Sequence, residues 1–589
     1  MNRTERPGKT SRSGMRRAGK FALLLAFALL VDSAAFAGKK KVSDDIDLQS
    51  GKVVDVIVQY ADGPSSTHAG KAARHGAAAK RDLPLVKGTL MSVPANQISS
   101  LLSDDSGITY VAPDRRVQSA GYSDAFVAAQ TDVAHTYPYN GTGIGVAVID
   151  SGISSAHPDL GRRVVYSQDF TGQGTTDDLY GHGTHVAGII AGNGNRSNPG
   201  PGCPSCVVTY KGVAPAVKLL NLRVLDDTGS GSDSQVISAI QTAINLKSQY
   251  NIRVINLSLG RGVFESYTTD PLTQAVEQAW NAGIFVVVAA GNYGRDNSNN
   301  NNGYGTTTSP ANDPYVITVG AMRTMGTQTR ADDAIASYSS KGPSMLDHVV
   351  KPDIVAPGNL VVSLLAQNAS LDTTYPSTLL PLSAYQNTTS TANSTYYFRL
   401  SGTSMAAPWV SGAAALMFQQ NSNLTPDQVK ARLMKTAFKN LPVYTSVTDP
   451  TTGITYNEQA DIFTIGAGYL DIAAALNNSD AAPSSVGAAM SPTASYDPTT
   501  GQVTLVTGNS VLWGTSVLWG TSAVWGTSVI WGANAQGQSV LWGSSVLWGS
   551  STNSAFSVLW GTSTAPFSVL WGTCNSGSDA TSVLTQGDN

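Results

Sequence analysis

Ser404 sits in the small-residue turn Gly402-Thr403-Ser404-Met405-Ala406-Ala407-Pro408, directly before an apolar helical pattern from Val410 to Gln419. A turn that feeds a helix sets its first hydroxyl at the positive end of the helix dipole. Serine there can attack a carbonyl, but only with help. It needs an imidazole to take its proton, a carboxylate to fix that imidazole and a donor for the oxyanion. Gly-Thr-Ser is also ordinary loop chemistry, so the partners decide. Asp150 ends the run Val146-Ala147-Val148-Ile149-Asp150, His182 opens His182-Gly183-Thr184-His185-Val186-Ala187-Gly188, and Asn292 ends Ala289-Ala290-Gly291-Asn292. Each has a bland reading: a helix cap, a packed histidine, a turn residue. Two histidines at i and i+3 could ligate a metal, but no His-Glu-x-x-His pattern or third ligand accompanies them. Taken together, acid, base, nucleophile and side-chain amide are the set that peptide hydrolysis needs.

The elements around them fit one scaffold. Val146–Asp150, Leu219–Leu225, Val254–Leu257, Ile284–Ala289 and Val316–Val319 are short apolar runs, as expected of strands buried on both faces. Helical patterns lie between them at His182–Ala191, Ser234–Tyr250 and Pro271–Asn281, and another follows the cap Thr425-Pro426-Asp427. The alternation predicts an α/β fold, a twisted parallel sheet with helices on both faces. Ligands of such sheets bind beyond the carboxyl ends of the strands, where Asp150 and Asn292 fall.

The four motifs, in the order Asp, His, Asn, Ser, resemble the signatures of the subtilisin-like serine peptidases (subtilases, the S8 class) over about residues 125–480. His157-Pro158-Asp159-Leu160, Asn256-Leu257-Ser258-Leu259-Gly260 and Lys351-Pro352-Asp353-Ile354-Val355-Ala356-Pro357-Gly358 extend the likeness. The resemblance implies a secreted endopeptidase with Asp150, His182 and Ser404 as its triad and Asn292 as oxyanion donor. It implies that Ser258-Leu259-Gly260 form one substrate edge and P1 wall. Val224-Leu225 with Gly229-Ser230-Gly231 would form the other edge. A protein or peptide substrate would add between them as a strand. The apolar walls favour a large hydrophobic P1 side chain over a basic one. His157 and His185 are expected to be structural. No cofactor is needed for the chemistry. Asp159 matches a calcium ligand of the family, so a structural calcium is left open.

The same resemblance reads residues 38–118 as an inhibitor-like propeptide, a small α+β unit cut off by the enzyme between about 115 and 122. Its sequence predicts strands at Val53–Tyr60, Thr89–Val93 and Ile108–Val111, and a helix over Ala69–Lys80. Residues 1–37 read as a signal peptide: a basic start, the apolar run Phe21–Val31 and the small-x-small site Ala35-Phe36-Ala37. That predicts an extracellular, periplasmic or surface-held protein. Formal net charge is −3 even with this basic leader included, which argues against nucleic acid as a partner. Cys203 and Cys206 are expected to pair as a disulfide in an exported protein, leaving Cys574 over.

Two stretches stand outside the family pattern. A Ser/Thr/Asn-rich insertion at about 366–396 precedes the nucleophile and reads as a lid, a rim or a surface loop. After the expected catalytic domain (119–482), residues 483–589 form a tail built on a Ser-Val-Leu-Trp-Gly-Thr repeat. From 486 on it has no Lys, Arg, Glu or His and three Asp, yet it holds eight of the ten tryptophans. A β-rich or irregular module is expected, packed on itself, self-associating, or presenting tryptophans to a glycan or cell surface. A surface adhesin whose tail carries the main role is the rival reading of the whole chain.

Overall fold

The computed structural model describes residues 41–119, 138–298, 301–327, 330, 332–449, 452–480, 482–497, 502–506, 512–513, 516–517 and 588. The leader at 1–37, most of the repeat tail and Cys574 lie outside the described residues.

The first unit is an antiparallel sheet. Strands β1 (Val53–Tyr60), β2 (Ala78–Leu83), β3 (Gly88–Pro94) and β4 (Ile108–Pro113) are ordered β2-β3-β1-β4. Helices Ser66–Arg74 and Ile98–Asp104 accompany them, around a core of Val56, Val58, Met91, Ile98, Leu101 and Val111. The helix expected over Ala69–Lys80 stops at Arg74. The His75 N–H folds back onto the Ala72 carbonyl and the Gly76 N–H onto that of Ala73, Gly76 takes φ 74°, and Ala78 starts a strand instead.

A short strand β5 (Arg116–Ser119) then leads to the main sheet. Its strands are β6 (Gly145–Asp150), β7 (Val164–Asp169), β8 (Lys218–Arg223), β10 (Ile252–Leu257), β12 (Phe285–Ala289), β13 (Ile317–Arg323), β14 (Ala334–Ile335) and β15 (Ile354–Pro357). The order is β14-β13-β12-β10-β6-β8-β7, with β15 beside β13. All pairs are parallel except β13 with β14. Every residue of β6 and β12 is buried, because helices cover both faces. The helix Thr403–Gln420 is buried from Thr403 to Phe418 and packs on β10, β12 and β13. Against it lies the helix His182–Ala191, also buried throughout.

The insertion before the nucleophile is ordered structure. Strands β16 (Val361–Leu364), β17 (Leu379–Pro381) and β18 (Asn393–Leu400) form a sheet ordered β16-β18-β17. Cys203 and Cys206 are disulfide-bonded, and their loop leans on this sheet through Val207 N–H to Tyr385 O (2.8 Å) and Asn387 N–H to Ser205 O (2.7 Å).

The packed unit runs past the boundary expected at 482. Ala489 N–H donates to Asp427 Oδ1 (2.8 Å), Ser491 N–H to Pro314 O (2.9 Å) and Ala494 N–H to His348 O (2.8 Å).

Candidate active site

Asp150, His182, Asn292 and Ser404 come from four separate elements and meet at the carboxyl ends of the parallel strands. Asp150 is the last residue of β6, and its Oδ1 accepts from His182 Nδ1 (2.7 Å) and from Ser151 N–H (2.7 Å). With its proton on Nδ1, the imidazole presents a bare Nε2, the form a general base needs. His182 is the first residue of its helix, and Gly183 explains how the helix reaches Asp150. A Cβ on Gly183 would lie 2.2 Å from Gly152 O and 3.2 Å from Asp150 Cβ.

Ser404 lies in the first turn of its own helix and is fully buried, as is His182. Its Oγ donates to Ser258 O (3.0 Å), and no hydrogen bond joins it to His182 Nε2. Asn292 Oδ1 accepts from Thr403 N–H and Thr403 Oγ1, both 3.0 Å, which fixes the amide plane. That leaves Asn292 Nδ2, like His182 Nε2, buried without a partner among the described residues. Buried polar groups are normally paired. Here one is an acceptor on an imidazole and the other a donor on an amide.

The backbone around Ser404 is satisfied in an unusual way. Its carbonyl would accept from the N–H of residue 408, but that residue is proline and has none. Ser258 Oγ donates to Ser404 O instead (2.9 Å), while Asn256 Nδ2 donates to Ser258 Oγ (2.9 Å).

A strand lies between the two segments expected to form the substrate edges. The backbone of β5 pairs antiparallel with β11 (Leu259–Gly260) on one side and with β9 (Ser230–Ser232) on the other. Ser119 faces Leu259, Gln118 faces Gly260 and Ser230, Val117 faces Gly231, and Arg116 faces Ser232. Gly229 sits in the turn just before the second edge, with its N–H on Asp226 O (3.1 Å). Next to the first edge, Thr308 occupies the space between two glycines. A Cβ on Gly260 would fall 2.6 Å from Thr308 Oγ1, and one on Gly291 2.6 Å from Thr308 Cγ2.

Other residues hold this arrangement without being legible as motifs. Asp178 is buried and caps the His182 helix in place of Gly181, which has no side chain to do so. Its oxygens accept from Gly181 N–H (2.7 Å), Thr184 N–H (2.7 Å) and Ser151 Oγ (2.8 Å). Arg115, at the end of the first unit, is buried with its Nη1 on Glu265 Oε1 (2.5 Å) and its Nη2 on Ser43 Oγ (2.7 Å). The insertion reaches the site as well: Ser370 Oγ donates to Asp227 O (2.7 Å) and Leu371 N–H to Tyr180 O (3.0 Å). It therefore forms a rim between the His182 approach and the loop before β9.

His185 and His157 are structural. His185 Nε2 donates to Val361 O (2.9 Å), and burial, helped by the nearby His182, pushes its pKa down to about 3. His157 donates from Nε2 to Tyr396 O (3.0 Å) and accepts Asp159 N–H at Nδ1 (3.1 Å). Asp159 is engaged by protein donors. Its Oδ1 accepts Arg196 N–H (2.8 Å) and its Oδ2 accepts Tyr397 O–H, so protein donors take up both oxygens. Among the described residues no group of three or more His, Cys, Asp or Glu gathers as metal ligands.

Comparison with known proteins agrees with this geometry. The Subtilase family of S8 peptidases matches residues 141–468. Serine protease AprX of Bacillus subtilis is 35% identical over 408 residues, covering 66% of this chain and 83% of the relative. Subtilisin E of Bacillus subtilis is 33% identical over 338 residues, covering 57% and 72%. Among solved structures, fervidolysin from Fervidobacterium pennivorans, a keratinolytic enzyme related to subtilisin, superposes with a TM-score of 0.53 at 22% identity. That alignment covers 76% of this chain and 63% of fervidolysin, and carries the fold alone. The chain belongs to the subtilase family and is a subtilisin-like serine endopeptidase.

Ser258→Ala would leave Ser404 O buried without a donor, which costs roughly 1–3 kcal/mol. We expect a lower denaturant midpoint with unchanged m-value, measured in a Ser404→Ala background to prevent self-digestion.

Proposed function

We propose that this chain is made as an exported precursor and cleaves itself to release the enzyme. Asp150 orients His182, His182 takes the Ser404 proton, and the Ser404 oxygen attacks the carbonyl to give a tetrahedral oxyanion. Asn292 Nδ2 donates to that oxyanion. The leaving amine collects the proton from His182, and water repeats the sequence on the acyl-enzyme. The observation that carries this reading is β5, an extended segment of the chain's own first unit bound between the two substrate edges. A peptide substrate would bind by the same strand addition, and until it leaves, β5 excludes one. Residues 38–118 would then be the intramolecular inhibitor. The leader, with its basic start and apolar run, supports export; no helix among the described residues is long and apolar enough to cross a membrane. The adhesin alternative rests on the repeat tail alone and draws no support from this site.

The purified enzyme should hydrolyse casein and lose that activity to a serine-directed phosphonate. A correctly matured protein with no activity would overturn the reading.

The β5 register also points to the cut. Ser119 faces Leu259, the neighbour of Ser258, whose carbonyl holds Ser404 Oγ. The scissile bond would be Ala120–Gly121. N-terminal sequencing of the mature enzyme should begin at Gly121, and Ser404→Ala purified alone should keep the segment. Loss of the segment from Ser404→Ala would exclude self-cleavage.

Thr308, wedged between Gly260 and Gly291, narrows the P1 space, so small P1 side chains such as the alanine at 120 are favoured over the large hydrophobic ones that apolar walls suggested. Thr308→Gly should raise kcat/KM for a phenylalanine P1 peptide relative to its alanine counterpart by about tenfold or more, the scale of a few methylenes in a pocket. An unchanged ratio would show that Thr308 does not set the preference.

A further inference from the structure

Asp588 lies beyond the tryptophan repeats, and it is one of only three charged residues after position 486. It is nevertheless 2% exposed, set into the catalytic unit. Its Oδ1 accepts from Arg295 Nη2 (2.7 Å) and Ser337 Oγ (2.6 Å), and its Oδ2 from Ser337 N–H (2.6 Å). Its backbone N–H donates to Asn359 Oδ1 (3.2 Å), and its carbonyl accepts from Asn359 Nδ2 (3.4 Å). Arg295, Ser337 and Asn359 are themselves buried. This is a built receptor for one carboxylate-bearing residue, with side-chain and backbone contacts both specified.

The receptor touches the two loops that hold the reaction centre. Arg295 follows Asn292 by three residues. Between them, Tyr293 N–H donates to Ser340 Oγ (3.0 Å) and Gly294 N–H to Tyr338 O (2.9 Å), so the Asn292 loop is laid along residues 337–340. Arg295 Nε on Ser337 Oγ (2.7 Å) closes that contact. On the other side, Asn359 follows Gly358, whose carbonyl accepts from Gly402 N–H (2.8 Å), two residues before Ser404. Leu360 N–H donates to Ser401 Oγ (2.8 Å). Asp588 joins the first loop through its carboxylate and the second through its backbone. Asp449 accepts from Arg295 Nη1 (2.6 Å) and shares the guanidinium charge with Asp588.

We propose that Asp588 is a positioning residue for the oxyanion side of the active site, docked in the Arg295–Ser337–Asn359 receptor, and that the tryptophan-rich segment is thereby tied to the catalytic unit at both ends. The near end is the segment at 489–494 described above. The proposal rests on Asn292 being the oxyanion donor. Without the Asp588 carboxylate, Ser337 N–H and Arg295 Nη2 lose their acceptor inside the protein, and the Asn292 loop loses the tie that sets its distance from Ser404.

The test uses the full chain carrying Asp588→Ala or the near-isosteric Asp588→Asn, matured and counted by active-site titration with a phosphonate. Per titrated site, kcat on a short peptide should fall roughly tenfold, as a misplacement well below 1 Å would produce, with KM little changed. Acetate, small enough to enter the vacated position, should restore part of the lost kcat in Asp588→Ala. A variant with lower thermal stability but full kcat per titrated site would overturn the positioning role and leave only a structural one. Asn292→Ala separates the two levels. If it loses kcat while both Asp588 variants keep theirs, the Asp588 proposal falls and the oxyanion assignment stands. If Asn292→Ala keeps full kcat, the assignment beneath the proposal is wrong.

Discussion

Ser404 lies at the start of a helix whose first turn is cut off from water, and this constraint shapes everything around it. Helix starts leave backbone groups without partners inside the helix. At the surface, water supplies them; here the protein must. Asn292 Oδ1 takes Thr403 N–H, Gly358 O takes Gly402 N–H, and Ser258 Oγ gives to the Ser404 carbonyl that Pro408 cannot serve. Those three partners follow the ends of β12, β15 and β10. Meeting the needs of the buried helix start therefore brings Asn292 and Ser258 to the turn that carries Ser404 as a by-product. The active-site geometry is the solution of a burial problem first, and a catalytic arrangement second.

A second burial problem lies where the first unit docks. Asp233 and Asp270 stand at the starts of two helices and share Arg261, with Nε on Asp233 Oδ1 (2.9 Å) and Nη2 on Asp270 Oδ1 (2.7 Å). Burial still raises the Asp233 pKa to about 7, against the pull of Arg261. Glu265 adds a third carboxyl, whose pKa burial also raises. Arg115 from the first unit brings the second cation to this group, and Arg115 O accepts Asp233 N–H (2.8 Å). Breaking a buried pair of this kind by losing one partner costs about 3–5 kcal/mol. The docked unit is thus held by charge balance as well as by the apolar contacts of Leu83 and Val86 with the main core.

What could be read from the sequence was what repeats in pattern or stands in a motif. Strand and helix positions followed from periodicity. The four candidate side chains were picked out by residue type at strand ends and helix starts, and the fold brings them together. Three kinds of feature stayed hidden. Register was one: that β5 sits between both edges, and which residue faces Ser258, depends on long-range pairing with no local signature. Space was another. Thr308 is an ordinary residue until Gly260 and Gly291 are found on either side of it. Competition for partners was the third: nothing in the sequence tells that Tyr397, over two hundred residues after Asp159, donates to its carboxylate. The helix expected through Lys80 failed for a local reason, since a positive φ at Gly76 is invisible to alanine-rich propensity.

The segments that departed from the family pattern share one physical outcome. The insertion delivers Tyr397 to the buried carboxylate of Asp159, and the disulfide loop braces the sheet that carries it. The stretch after 482 brings Ser491 to Asp353, a carboxylate also held by Lys351 Nζ (2.8 Å) deep in the unit. Asp588 closes the pairing of Arg295 and Ser337. Each added piece ends on a polar group that would otherwise be buried and incompletely paired. An unpaired buried group costs far more than a typical hydrogen bond contributes, so these few contacts can hold long segments in place with little apolar area. Asp588 is the point at which the tail, almost without charge, meets the charged group around Arg295, adding a second carboxylate to the guanidinium beside that of Asp449.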